Sequence, residues 1–132
     1  MKCHKGLIIL LFFISFTQLF AQGVKRKFRG VYEGSIPAYE VKMGKSTFAV
    51  KSSEIKLFLD RDSLFIEIGS YWYGSDYSVE KEENRFILTS SRENSGIPEQ
   101  LFLDPRSKTI IRKGLAPQPD ATLNRKGKLP RR

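Results

Sequence analysis

From Phe28 to Lys113 the apolar positions come in short alternating runs, broken every few residues by turn formers. "FRGVYEGS" reads as one strand, and "AYEV" and "TFAV" flank a turn at Gly44. "EIKLFL", the turn "DRDS", "LFIEI", the turn "GS" and "YWYGSDYSVE" follow in order. After "KEEN" come "RFILTSS", the polar loop "RENSGIP", "EQLFLD", a turn at Pro105 and "TIIRK". Roughly eight strands on short connections predict an all-β chain, an antiparallel meander closing into a small barrel, with a β-sandwich as the alternative. Only residues 35–54 are ambiguous between strand and helix; elsewhere no 3.6-residue period stands out.

Turn lengths set the register of the central strands. A four-residue loop at Asp60 to Ser63 pairs Leu59 with Leu64, Phe58 with Phe65 and Leu57 with Ile66. A two-residue Gly69-Ser70 turn suits type II′, in which glycine supplies the positive φ. It pairs Ile68 with Tyr71, Glu67 with Trp72 and Ile66 with Tyr73. Because side chains alternate across a strand, Leu57, Leu59, Leu64, Ile66, Ile68, Tyr71 and Tyr73 fall on the interior face. Lys56, Phe58, Phe65, Glu67 and Trp72 fall on the other, with Phe65 covering the gap opposite Gly74. Two sets of candidate site residues emerge. Tyr71 and Tyr73 present hydroxyls to any ligand cavity, and Phe58, Phe65 and Trp72 form an outward aromatic patch. Such a patch is either covered or functional. The Pro-rich stretch 114–123, carrying Leu115, Pro117, Pro119 and Leu123, is the expected strap across it.

The termini change the picture. Lys2 and Lys5, the apolar run Leu7 to Phe20, and Ala21 form the pattern of a secretory signal peptide, with Gln22 as the new N-terminus. The apolar run is shorter than the ~20 residues of a spanning helix. Lys25, Arg26, Lys27 and Arg29 follow at once and resist export, so an N-terminally membrane-anchored form is the alternative to a periplasmic or secreted one. The expected organisation is a signal peptide over 1–21, a basic N-terminal arm over 22–29, a barrel domain over 30–113 and an extended basic C-terminal arm over 114–132. The formal net charge is +9, but it belongs to the ends, since residues 30–111 are net negative. No specific nucleic acid partner is expected from that distribution. Tails of this kind are ordinarily just solvated, with electrostatic contact with anionic surfaces as the sharper alternative.

Cleavage after Ala21 removes Cys3 and His4, the only cysteine and the only histidine. The mature chain then offers no disulfide, thiol or imidazole, which excludes Ser-His-Asp and Cys-His catalysis and any zinc site built on those ligands. No metal, cofactor or catalytic residue is expected, with carboxylate or tyrosine chemistry left open. "MGKSTF" lacks the first glycine and the helix of a phosphate-binding loop. "DRDS" lacks the glycine and closing glutamate of a calcium loop. Glu82 and Glu83 sit in an exposed turn without the apolar setting that raises a carboxyl pKa.

Two local patterns carry a resemblance. "GVY", Gly30 to Tyr32, resembles the Gly-x-aromatic at the first strand of lipocalin-like barrels. "YEGSIPAYEV" resembles the opening of the N-terminal barrel of NlpE-type envelope lipoproteins, with Tyr32, Glu33, Gly34 and Pro37 matching. Ala38 and Val41 stand where that family has its Cys-x-x-Cys pair, so metal or redox sensing is not implied. The resemblance implies a small lipocalin-like barrel in the cell envelope. The functional expectation is a non-catalytic interaction module engaging an envelope partner. A carrier of a small apolar or amphipathic ligand is the alternative.

Overall fold

A computed structural model describes residues 23–90 and 98–130. The signal peptide expected over 1–21, its cleavage site, and nearly all of the polar loop "RENSGIP" lie outside the described residues. Among the described residues a single 3-10 turn, Arg26–Phe28, leads into ten strands. These are β1 (Gly30–Ile36), β2 (Tyr39–Met43), β3 (Ser46–Val50), β4 (Ser53–Leu59), β5 (Ser63–Ile68), β6 (Tyr71–Glu82), β7 (Arg85–Ser90), β8 (Gln100–Asp104), β9 (Thr109–Arg112) and β10 (Ala121–Gly127). Eight close into an antiparallel barrel in the order β1-β10-β9-β8-β7-β6-β5-β4, while β2 and β3 form a separate two-stranded ribbon. The chain is therefore the expected meander barrel and not a sandwich. None of the described helices is long and apolar enough to cross a membrane.

The register follows the turns. Leu57, Phe58 and Leu59 face Ile66, Phe65 and Leu64, and Ile66, Glu67 and Ile68 face Tyr73, Trp72 and Tyr71. Gly69 has the positive φ its turn requires, 59°. At the seam, β1 runs antiparallel to β10, with Glu33 opposite Asn124 and Gly34 opposite Leu123. A Cβ at Gly34 would sit 2.1 Å from the Thr122 carbonyl oxygen, so only glycine lets the first and last strands approach this closely.

The directions of the strands define two ends. The lower end holds the start of β1, the β4–β5, β6–β7 and β8–β9 turns and the end of β10. The upper end holds the β2–β3 ribbon, the Gly69-Ser70 turn, the β7–β8 connection and residues 113–120. Between them lies one apolar cluster running from Val24 to Leu123, including Tyr32, Ile55, Leu57, Leu59, Leu88 and Leu103. The eight strands of the closed barrel, and every member of that cluster among the described residues, lie after residue 22.

Two expected boundaries are corrected. The basic N-terminal arm expected over 22–29 is, in its described residues 23–29, part of the folded domain: Val24 and Phe28 are buried and plug the lower end. The Tyr32 hydroxyl donates to the Phe28 carbonyl at 2.6 Å, and the Tyr77 hydroxyl accepts from Val24 N–H at 3.3 Å and donates to the Asp60 carbonyl at 2.5 Å. Lys25, Arg26 and Lys27 stay exposed, so burying two apolar residues costs no charge its water. The C-terminal arm expected over 114–132 likewise contains β10, whose Ala121 and Leu123 enter the core while Thr122 and Asn124 face out. The barrel domain extends past residue 113 because this alternation outweighs the nearby prolines and glycines.

Candidate functional site

At the upper end the barrel carries a polar cluster inside an apolar wall. Residues of one parity on β8 and β9 point inward, which buries Leu101, Leu103 and Ile110, and the same parity brings in Glu99 and Arg112. Arg112 Nη2 donates to Glu99 Oε1 at 2.7 Å, and both side chains are only 8% exposed. Arg112 Nη1 donates to Gln118 Oε1 at 2.8 Å. The Tyr73 hydroxyl donates to Glu99 Oε2. The backbone fixes this glutamate as well: Ser90 N–H donates to the Glu99 carbonyl at 2.9 Å, and Glu99 N–H donates to Ser90 Oγ at 3.1 Å. One polar atom of the cluster, Arg112 Nε, is buried with no hydrogen-bond partner among the described residues.

The electrostatics hold these groups in fixed states. Burial, then the hydrogen bond to the Glu99 carboxylate and its charge, push the Tyr73 phenol well above its ordinary range. Burial pulls Arg112 down, but the hydrogen bond and charge of Glu99, with Tyr73, outweigh it and leave the guanidinium above its usual value. At neutral pH Arg112 is therefore a cation and Tyr73 a neutral phenol. The cluster provides fixed donors able to orient a polar group, and no activated nucleophile. Among the described residues no group of three or more His, Cys, Asp or Glu could hold a metal ion.

The predicted site residues separate. Tyr73 belongs to the buried cluster. Tyr71 shares its inward parity, with the rings 5.8 Å apart, but occupies the last rung and is 52% exposed. The interior position expected for Tyr71 is thus corrected to the rim. Phe58, Phe65 and Trp72 do form an outer ladder, with centroids 5.9 Å apart for Phe58–Phe65 and 5.3 Å for the stacked Phe65–Trp72 pair. Residues 114–123 do not cross it: they turn over the upper end and then enter β10, where the strand register holds them. A groove of about 430 Å³ lined by Phe58, Leu64 and Phe65 is instead bordered by Leu129 and Pro130, and Trp72 is 64% exposed.

Glu99 and Arg112 were not singled out from the sequence, although the signal was present: each continues the inward alternation of Leu101 and Leu103, or of Ile110. The ribbon at the same end adds an apolar face of Tyr39, Val41, Met43, Phe48 and Val50, paired Tyr39 with Val50 and Val41 with Phe48. Met43 is 65% and Phe48 53% exposed. Comparison with protein-family models, curated proteins and solved structures gives no match for this chain.

Proposed function

We propose that this protein is an exported cell-envelope binding module with no reaction of its own, which engages a partner through the upper rim of the barrel. One observation carries the reading. Of the six large apolar side chains exposed among the described residues, Met43, Phe48, Tyr71 and Leu115 lie at the upper end, while Trp72 and Ile111 point outward from the barrel wall. Exposed apolar surface concentrated in one place is the mark of an interaction site. Tyr39 anchors the ribbon against the core while Met43 and Phe48 stay exposed, and a two-stranded ribbon is marginal by itself, so the outer part of the β2–β3 apolar face gains most from a partner. The resemblance to envelope barrels at Tyr32 to Val41 is in keeping with this setting.

The orphaned Arg112 Nε favours a second reading, a carrier of an amphipathic ligand whose acidic group reaches Arg112 and Tyr73. Photo-crosslinking in the native envelope separates the two. A crosslinker at position 48 should give a discrete protein adduct that Met43→Ser largely abolishes, while position 80, on the barrel wall, gives none. Absence of any adduct, together with a co-purified small molecule in native mass spectrometry, would overturn the first reading in favour of the second.

A further inference from the structure

The two basic stretches at opposite ends of the sequence meet at one end of the fold. Because β1 and β10 run antiparallel as neighbours, residues 25–29 enter where residues 125–128 leave. Arg125 Nη2 donates to the Arg29 carbonyl at 3.0 Å across this seam. Beside it, the N-terminal segment and the β6–β7 and β8–β9 turns enclose a groove of about 230 Å³. Its floor is Phe28, Phe86 and Pro105, with the two rings 5.8 Å apart. Its walls carry Lys25, Lys27, Lys81, Arg85 and Arg106 against a single carboxylate, Glu83.

These cations are not spent on internal ion pairs. Among the described residues only Arg85 has a carboxylate within reach, Glu82 at 3.4 Å. Lys27 Nζ lies 5.0 Å from the centre of the Phe28 ring, a contact that leaves its charge intact. A folded domain whose segment 30–111 is net negative thus presents a local positive face, separate from the apolar rim at the other end.

We propose that this lower face docks on an anionic phospholipid surface, the lysines and arginine meeting headgroup phosphates. The geometry favours a surface over one chelated anion, since the cations stand exposed on three separate chain segments and none is buried. The sequence adds the location. The apolar run Leu7 to Phe20 stops five residues before Lys25, and five extended residues reach at most about 18 Å. Whenever that run lies in a bilayer, the lower face is the part of the barrel held at its surface. Basic residues at an anionic leaflet each strengthen association by roughly fivefold. The proposal is independent of any partner at the upper rim.

Residues 22–132, which contain the whole barrel, would be co-sedimented with phosphatidylglycerol–phosphatidylcholine vesicles and with phosphatidylcholine vesicles alone. Binding should require the anionic lipid and fall steeply as salt is raised. Replacing Lys25, Lys27, Lys81 and Arg106 together by Gln should weaken it by on the order of 100-fold or more. All four are exposed, so the far-ultraviolet circular dichroism should not change. Replacing Lys42, Lys45 and Lys51 by Gln at the upper end should cost less than about fivefold. Equal binding to neutral vesicles, undiminished binding by the lower-end variant, or binding only to a soluble polyanion such as dextran sulfate would each overturn the proposal.

Discussion

The two ends of this barrel are closed by different chemistry. At the lower end Val24 and Phe28 fill the opening, and two tyrosine hydroxyls satisfy main-chain groups of the plug. Lys25, Arg26 and Lys27 there stay exposed, and the half-buried Arg29 and Arg125 donate to main-chain carbonyls. At the upper end the interior is closed by side chains bonded to one another, Tyr73 to Glu99, Glu99 to Arg112 and Arg112 to Gln118. There Met43, Phe48, Tyr71 and Leu115 stand exposed at the rim. A plug made by burying side chains and donating to carbonyls tolerates loss of any one hydrogen bond. A closure made from a buried ion pair does not, because each partner left alone is a desolvated charge.

The largest test of this contrast is Glu99→Ala. It leaves Arg112 buried and uncompensated and should destabilise the fold by about 3–5 kcal/mol. The triple variant Tyr73→Phe, Glu99→Leu, Arg112→Met should recover most of that loss, because a buried polar network replaced whole by apolar groups is often neutral. Urea unfolding measures both, and a triple variant as weak as the single one would show that the network itself supplies stability. Phe28→Ala should cost about 3 kcal/mol through the cavity it opens, whereas Tyr77→Phe at the same end should cost only about 1 kcal/mol. A larger loss for Tyr77→Phe than for Phe28→Ala would make the lower end as dependent on polar contacts as the upper.

Alkaline titration sharpens the comparison, because both ends hold buried phenols. Burial pushes Tyr32 up to about 12, with Arg125 opposing, and raises Tyr77 and Tyr73 too. A raised folded value means the stabilisation is fully present below the unfolded value of about 10 and is lost as the pH climbs through the folded one. Of the five tyrosines, at least three should therefore resist ionisation at pH 10 and ionise together as the barrel unfolds. An absorbance titration in which all five ionise near pH 10 would remove both plugs from the account. The smallest effect belongs to Trp72→Ala. With that ring 64% exposed, stability should change by less than about 1 kcal/mol, and its emission should be that of a solvated indole.

The strand register from Leu57 to Tyr73 was legible because two turns of defined length, one with a glycine at the required position, leave a single pairing that gathers the aliphatic residues on one face. Glu99 and Arg112 were not legible as a pair. A charged residue on an inward parity reads as a strand end, and only the three-dimensional meeting of β8 with β9 shows that each has the other as counter-ion. The closing strand was hidden differently. Ala121 and Leu123 are just two inward positions, set among prolines and lysines, and their partners Arg112 and Ile110 lie across the upper turn. Short alternation is weak evidence until a neighbour completes it.

The seam between β1 and β10 governs when the molecule can fold. Val31 lies opposite Gly127, and Ser35 opposite Thr122, so the first strand is locked by the last. A growing chain that has not yet produced residue 121 lacks one wall of the barrel and leaves the inward face of β1, Tyr32 and Ile36 included, without its closing neighbour. Ordering by such distant contacts is slow, on the order of milliseconds to seconds, because the whole intervening chain must be looped before the contact forms. Until its final strand arrives, this polypeptide remains threadable.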